Sequence, residues 1–161
     1  MSDPRAAAIT ISTGVARGER DDESGPALAA FAERLGLGPV EQEVVPDDRE
    51  LIEGRLRWWS DRGGCALVVT SGGTGFSPDD VTPEATRAVI EREAPGVAEA
   101  MRAASREHSS KWMLSRGVAG IRGRTLIVNF PGNPPSIAQA GAAIADALPH
   151  ALALLRGERP H

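Results

Sequence analysis

Residues 65–84 read CALVVTSGGTGFSPDDVTPE, an apolar run that ends in a glycine-rich turn and passes through two aspartates into the start of a helix. That order fixes a strand, a turn and a helix in succession, and it puts the chemistry at the strand's exit. Residues 65–69 are apolar and bounded by turn formers, as a strand covered on both faces must be. Gly72, Gly73 and Gly75 permit positive φ and carry no Cβ, so successive backbone N–H groups can converge on an anion such as phosphate. Thr82 is placed as an N-cap, with Pro83 at the first helical position and Glu84 beside the positive helix end. Asp79 and Asp80 would repel a phosphate held by the turn unless a divalent cation lay between them, which points to magnesium. The turn lacks the lysine and the Ser/Thr of a Walker loop, so an ordinary turn with two solvated aspartates is the competing reading.

Strand and helix patterns alternate along the rest of the chain. Residues 6–12 form a first strand, and Ser24 caps a helix that carries Leu28, Phe31, Ala32 and Leu35 on one face until Gly36 ends it. Residues 40–45 alternate as a half-exposed strand. Pro46 and Asp47 then open a helix bearing Leu51, Ile52, Leu56 and Trp59. Residues 83–93 and 95–106 read as two helices broken at Pro95. Residues 118–121 and 125–130 flank a turn at 122–124 and form a hairpin with an antiparallel edge strand. A last helix from Ser136 aligns Ile137, Ile144, Leu148, Leu152 and Leu155, with a kink at Pro149. Residues 13–23 are the one long polar loop.

This order predicts a three-layer α/β/α fold with a mostly parallel sheet and an antiparallel edge hairpin. Ligands of such sheets bind beyond the carboxyl ends of the strands. Ser12, Asp47, the glycine turn and residues 131–134 should therefore meet at one rim. A length of 161 residues suits one domain over 1–161, and a net charge of −4 argues against a nucleic-acid surface. No apolar run reaches membrane-spanning length and the first residues lack a signal-peptide pattern, so a cytoplasmic protein is expected. Cys65, the one cysteine, reads as a buried small hydrophobe, and His108, His150 and His161 form no metal-like spacing with it.

Five segments, taken in order, resemble the molybdenum cofactor biosynthesis proteins: Asp22-Glu23-Ser24-Gly25; Val45-Pro46-Asp47-Asp48; Ser71-Gly72-Gly73-Thr74-Gly75 with Asp80-Val81-Thr82-Pro83-Glu84; Leu114-Ser115-Arg116; and Asn129-Phe130-Pro131-Gly132-Asn133-Pro134. The resemblance covers nearly the whole chain and takes in the bacterial molybdopterin adenylyltransferases, molybdenum cofactor biosynthesis protein B and the G domain of gephyrin. It implies a homotrimeric α/β/α protein that binds molybdopterin and, in active members, adenylylates its terminal phosphate with Mg2+ and ATP, then hands the product to a metal-insertion protein. By the same resemblance Asp47 and Asp80 are the functional carboxylates and magnesium ligands. Gly72, Gly73, Thr74 and Gly75 would cradle phosphate. Ser115, Arg116, Asn133, Pro134 and Ser136 would contact phosphate or substrate, as would Ser12, Asp22 and Ser24.

Each has a plainer role available. Arg116 has the alternative of a surface arginine paired with a helix carboxylate, Ser136 reads equally as a helix cap, and Ser24 could be only a cap. Trp58, Trp59 and Trp112 are expected in packing or subunit contacts. Active relatives commonly carry Ser-Asp-Arg after the first strand, where this chain has Ser12-Thr13-Gly14. That departure favours a non-catalytic pterin-binding or carrier protein, whereas Asp47 and Asp80 favour an enzyme. A nucleotide-hydrolysing domain like those of competence-damage-inducible proteins shares the fold, but such proteins usually carry a further domain.

Overall fold

A computed structural model describes residues 4–159, so His161 and the ends of the expected 1–161 domain lie outside the described residues. The strands are β1 (Arg5–Ile11), β2 (Val40–Val45), β3 (Cys65–Ser71), β4 (Arg92–Glu93), β5 (Ala119–Arg122) and β6 (Thr125–Phe130). They form one sheet in the order β2-β1-β3-β6-β5-β4. Strands β1, β2, β3 and β6 run parallel, and β5 turns back antiparallel to β6.

Side chains of a strand alternate between faces, and here the alternation separates two cores. Ala6, Ala8, Leu67, Val69, Val128 and Phe130 face one layer, formed by α2 (Ser24–Arg34), α5 (Pro95–Ser105), α6 (Pro134–Ile144) and α7 (Leu148–Leu155). Ala7, Ile9, Ile11, Val68 and Ile127 face the other, formed by α3 (Arg49–Asp61) and α4 (Thr82–Val89). The expected three-layer α/β/α arrangement results. Phe130 is fully buried against Phe31, ring centroids 5.1 Å apart. Truncating such an aromatic to alanine costs about 3–5 kcal/mol.

Several expected boundaries move. The helix read over 83–93 stops at Val89, because residues 91–94 give their backbone groups to β5: the Glu91 and Ala94 N–H groups donate to Ile121 and Ala119 carbonyls. The sheet therefore ends on the two-residue β4 rather than on the hairpin. The last helix is two helices bent by 68°, and Pro149 sits in the first turn of α7, where its missing N–H costs nothing, instead of kinking a continuous helix. Leu51 is exposed while Ile52, Leu56 and Trp59 carry the buried face of α3. That helix is capped by Asp48, whose carboxylate accepts from Leu51 N–H, one residue later than expected. No single helix among the described residues is long and apolar enough to cross a membrane.

Candidate functional site

The carboxyl ends of β1, β2, β3 and β6 open into a cleft of about 640 Å3. Its walls come from four segments the sequence set at this rim: Ser12, Asp47, Gly72 with Gly73, and Gly132 with Asn133 and Pro134. Asp80, Asp22 and Ser24 also line it. Asp47 and Asp80 thus share one cavity although 33 residues separate them in the chain.

The glycine turn is held by side chains around it. Gly72 and Gly73 have φ of 99° and 69°, and a Cβ on Gly72 would strike the Ile11 carbonyl. Gly75 does not adopt positive φ. Its constraint is space, because a Cβ there would come within 2.8 Å of Asp80 Oδ2. The Ser71 hydroxyl donates to Pro131 O and ties β3 to the last loop. Thr82, read as a cap, instead donates its hydroxyl to Gly72 O and its N–H to Gly73 O; the helix begins after Val81 without a side-chain cap. Among the described residues the backbone N–H groups of Gly73, Thr74 and Gly75 have no protein acceptor. Backbone donors left unpaired in a turn are available to an anion, and of these three residues Gly73 lines the cleft. Thr74 and Gly75 continue the turn but do not line the cleft.

The two cleft carboxylates are fixed differently. Asp47 Oδ2 accepts from both Thr13 N–H and Thr13 Oγ1, and its own N–H donates back to Thr13 Oγ1. Thr13 opens α1 (Thr13–Ala16), a turn of helix within the segment read as loop, and Ser12 caps it. Asp80 Oδ2 accepts from Ser77 N–H at 2.9 Å. The remaining oxygen of each carboxylate has no protein donor among the described residues. No group of three or more metal-ligating side chains occurs there either. A pair of carboxylates, each with an open oxygen, fits magnesium, which is commonly held by one or two carboxylates plus substrate phosphates.

Other expected ligands have structural partners. Arg116 donates from Nε to Gly75 O, from Nη2 to Asp80 O and from both terminal nitrogens to Glu84, so the pairing with a helix carboxylate describes its contacts and one Nη1–H remains without a protein acceptor among the described residues. Its hydrogen bonds hold the Glu84 carboxyl below the usual range against the opposing effect of partial burial. Asp22 Oδ1 accepts from Gly25 N–H in the first turn of α2, and it also accepts from Thr10 Oγ1. Ser24 is not the cap: its hydroxyl donates to Gly132 O and joins the two walls of the cleft. Asn133 caps α6 by accepting from Ser136 N–H, the reverse of the expected arrangement. Ser115 and Ser136 line a neighbouring hollow of about 140 Å3 that Pro131 also borders. Trp59 is buried and donates to Glu43, whereas Trp58 is exposed beneath the Arg55 guanidinium. Trp112 borders the smaller hollow. Cys65 is buried, which pushes its thiol up to about 11 and removes it as a nucleophile.

Two residues were not singled out from the sequence as part of the site's support. Asn129 is buried and donates from Nδ2 to Thr70 and Thr86 while accepting from Val118 N–H, joining β3, α4 and the approach to β5. Arg20 lines the cleft, and Nη2 donates to Ser12 Oγ at 2.9 Å.

Comparison with known proteins shows the family. A family model described as a probable molybdopterin binding domain matches residues 7–150. A molybdopterin adenylyltransferase of Helicobacter pylori is 40% identical over 151 residues, 92% of this chain and 86% of that protein. The molybdenum cofactor synthesis protein cinnamon of Drosophila melanogaster is 38% identical across 91% of this chain, which spans only 25% of that longer protein. A crystal structure of the molybdopterin biosynthesis enzyme MoaB from Thermus thermophilus superposes with a TM-score of 0.89 at 44% identity, covering 96% of this chain and 97% of that one. On residues, fold and relatives together, the chain belongs to the family of molybdopterin-binding domains of molybdenum cofactor biosynthesis.

Proposed function

We propose that this protein is a molybdopterin adenylyltransferase, which transfers AMP from ATP to the terminal phosphate of molybdopterin. The observation that carries the reading is the shared cleft: Asp47 and Asp80, each with an open carboxylate oxygen, stand beside a glycine turn with unpaired N–H donors. In the reaction a phosphate oxygen of the pterin forms a bond to the α-phosphorus, the bond from that phosphorus to the bridging oxygen breaks, and pyrophosphate leaves with the electron pair. The attacking oxygen is already anionic, so no base is needed and the protein's work is alignment and charge neutralisation.

Gly72, Gly73, Thr74 and Gly75 bind phosphate through backbone donors. Asp47 and Asp80 would hold magnesium, which would supply charge neutralisation for the two polyanions. Thr13 keeps Asp47 aimed, and Arg116 keeps the loop carrying Asp80 in place. Ser12, Asp22 and Ser24 on one wall and Asn133 with Pro134 on the other bound the substrates. Ser115 and Ser136 contact the part of the pterin that reaches past Pro131 into the smaller hollow. The active form is a cytoplasmic homotrimer that hands its product to a metal-insertion protein. Sedimentation at micromolar concentration tests the trimer, and a species of the 16.9 kDa chain mass would contradict it.

Incubation with molybdopterin, ATP and magnesium, followed by mass detection, tests the activity. Adenylylated pterin and pyrophosphate are expected. Bound but unmodified pterin would instead identify the non-catalytic carrier that the Ser12-Thr13-Gly14 departure favours.

A further inference from the structure

The walls of the cleft are strongly acidic for a site that takes polyanions. Asp21, Asp22, Glu23, Asp47 and Asp80 line it, and Arg20 is the one lysine or arginine among its lining residues. Two acids holding a metal leave three more carboxylates beside a triphosphate, so a fixed positive charge is needed there on electrostatic grounds. Arg116 does not provide it: it is bound to Glu84, Asp80 O and Gly75 O and is not among the residues lining this cleft.

Arg20 is placed and left available. Nη2 is anchored to Ser12 Oγ, at the corner where β1 meets α1. Although three acidic residues follow it in sequence, Arg20 forms no ion pair among the described residues, and its other N–H groups have no acceptor there. Space for the guanidinium is made by Gly14, where a Cβ would approach Arg20 Nε to 2.9 Å. Gly14 has no positive φ and lies within α1, so the backbone there does not demand glycine; a Cβ at this position would instead push the Arg20 guanidinium aside. An anchored planar fork with open donors is suited to bidentate capture of a phosphoryl group.

We infer that Arg20 is the cleft's phosphate-gripping side chain, brought back by the 17–23 segment to Ser12 where β1 meets α1. This rests on the reading of the cleft as a phosphate site. Two sources of the same chemistry meet there, the triphosphate of ATP and the terminal phosphate of the pterin, and kinetics separates them.

The test combines calorimetric binding of inorganic tripolyphosphate, in magnesium, with KM measured separately for ATP and molybdopterin. For Arg20→Ala, tripolyphosphate affinity is expected to fall about tenfold or more, and the KM of the substrate whose phosphate is held rises by a similar factor. The melting temperature should stay within about 2 °C, because the side chain is exposed and makes one hydrogen bond. Arg20→Gln can still donate to Ser12 but is uncharged, and it should lose as much affinity as the alanine variant. Gly14→Ala should weaken binding about threefold without lowering stability, since alanine is the better helix residue and the Cβ only displaces the fork. Tripolyphosphate affinity and both KM values within twofold of wild type in Arg20→Ala overturn the inference, as does wild-type binding by Arg20→Gln. A wild type that forms no adenylylated pterin, yet binds tripolyphosphate tenfold better than Arg20→Ala, overturns the adenylyltransferase reading and leaves this inference standing.

Discussion

Arg116 Nη1 lies 2.7 Å from Glu84 Oε2, and the same guanidinium reaches the carbonyls of Gly75 and Asp80. One side chain from the segment before β5 therefore ties the first turn of α4 to two points of the loop that carries the glycine turn and Asp80. Arg116→Ala leaves two carbonyls and a carboxylate without their charged donor. Because the pair is about one-third exposed, water replaces part of what is lost. A stability loss of about 1–3 kcal/mol is expected by urea denaturation. Adenylylation should fall further than stability does, because the loop is misplaced even in the folded fraction. Arg116→Lys should not rescue activity, since one ammonium cannot span three acceptors that the planar fork reaches. Full activity in Arg116→Ala would show that the loop holds its shape unaided.

The same pair sets a pH dependence. Glu84 is held below the ordinary glutamate range by its hydrogen bonds to Arg116, and Asp61 below the ordinary aspartate range by Arg122, whose Nη2 lies 2.8 Å away. For a carboxyl whose folded value is depressed, the unfolded chain binds the proton first. The stabilisation is then fully present above about pH 5 and is lost as pH falls through the lower folded values. Unfolding free energy should fall between about pH 5 and pH 3, more steeply for wild type than for Glu84→Gln with Asp61→Asn. Equal slopes in wild type and double variant would remove both pairs from the account.

Asn129 offers a test confined to the buried polar network. Its amide satisfies Thr70, Thr86 and the Val118 N–H, all from one 4%-exposed position. Asn129→Ala strands those groups away from water and should cost about 2–4 kcal/mol, measured as a lower urea midpoint with an unchanged slope. Asn129→Asp should cost at least as much, because it removes the amide's two donors and places a carboxylate against two hydroxyl oxygens. A loss below about 0.5 kcal/mol in the alanine variant would mean that water reaches the site.

What could be read from the sequence was what local periodicity and turn chemistry encode. Strands β2 and β6 fall on the residues expected, and Asp47, Ser12 and the glycine turn meet because right-handed crossovers bring the strand ends to one rim. What escaped depends on partners distant in sequence. Arg116 and Gly75 are 41 residues apart, and no spacing rule distinguishes an arginine facing a phosphate from one facing a carboxylate. Thr82 has the composition of a cap, but the Gly72 carbonyl competes for its hydroxyl. The helix expected through residue 93 loses to β5, whose open edge offers backbone partners that a local pattern does not contain. Arg20 sits in a polar segment without periodicity, and its relation to Gly14 is visible only once α1 folds the loop back.

Asp80 and Asp47 line one cleft but should fail differently when removed. Asp80 Oδ2 is held by a single exposed loop N–H, so Asp80→Ala removes a cleft carboxylate and perturbs little else. Adenylylation should fall by at least about a hundredfold, while molybdopterin binding followed by fluorescence stays within about threefold. Asp47 has a second task, since its other oxygen accepts from Thr13 N–H and Oγ1 and so positions α1. Asp47→Ala should therefore lose activity and about 1–2 kcal/mol of stability together, whereas Asp47→Asn, whose amide oxygen can still accept from Thr13, should lose activity with most of the stability retained. The magnesium dependence separates the roles further. Raising magnesium should partly restore a variant that keeps one cleft carboxylate and should do nothing for Asp47→Ala with Asp80→Ala combined. If Asp80→Ala loses pterin binding and transfer in equal proportion, the carboxylate serves the pterin site rather than the nucleotide, and its assignment to magnesium falls.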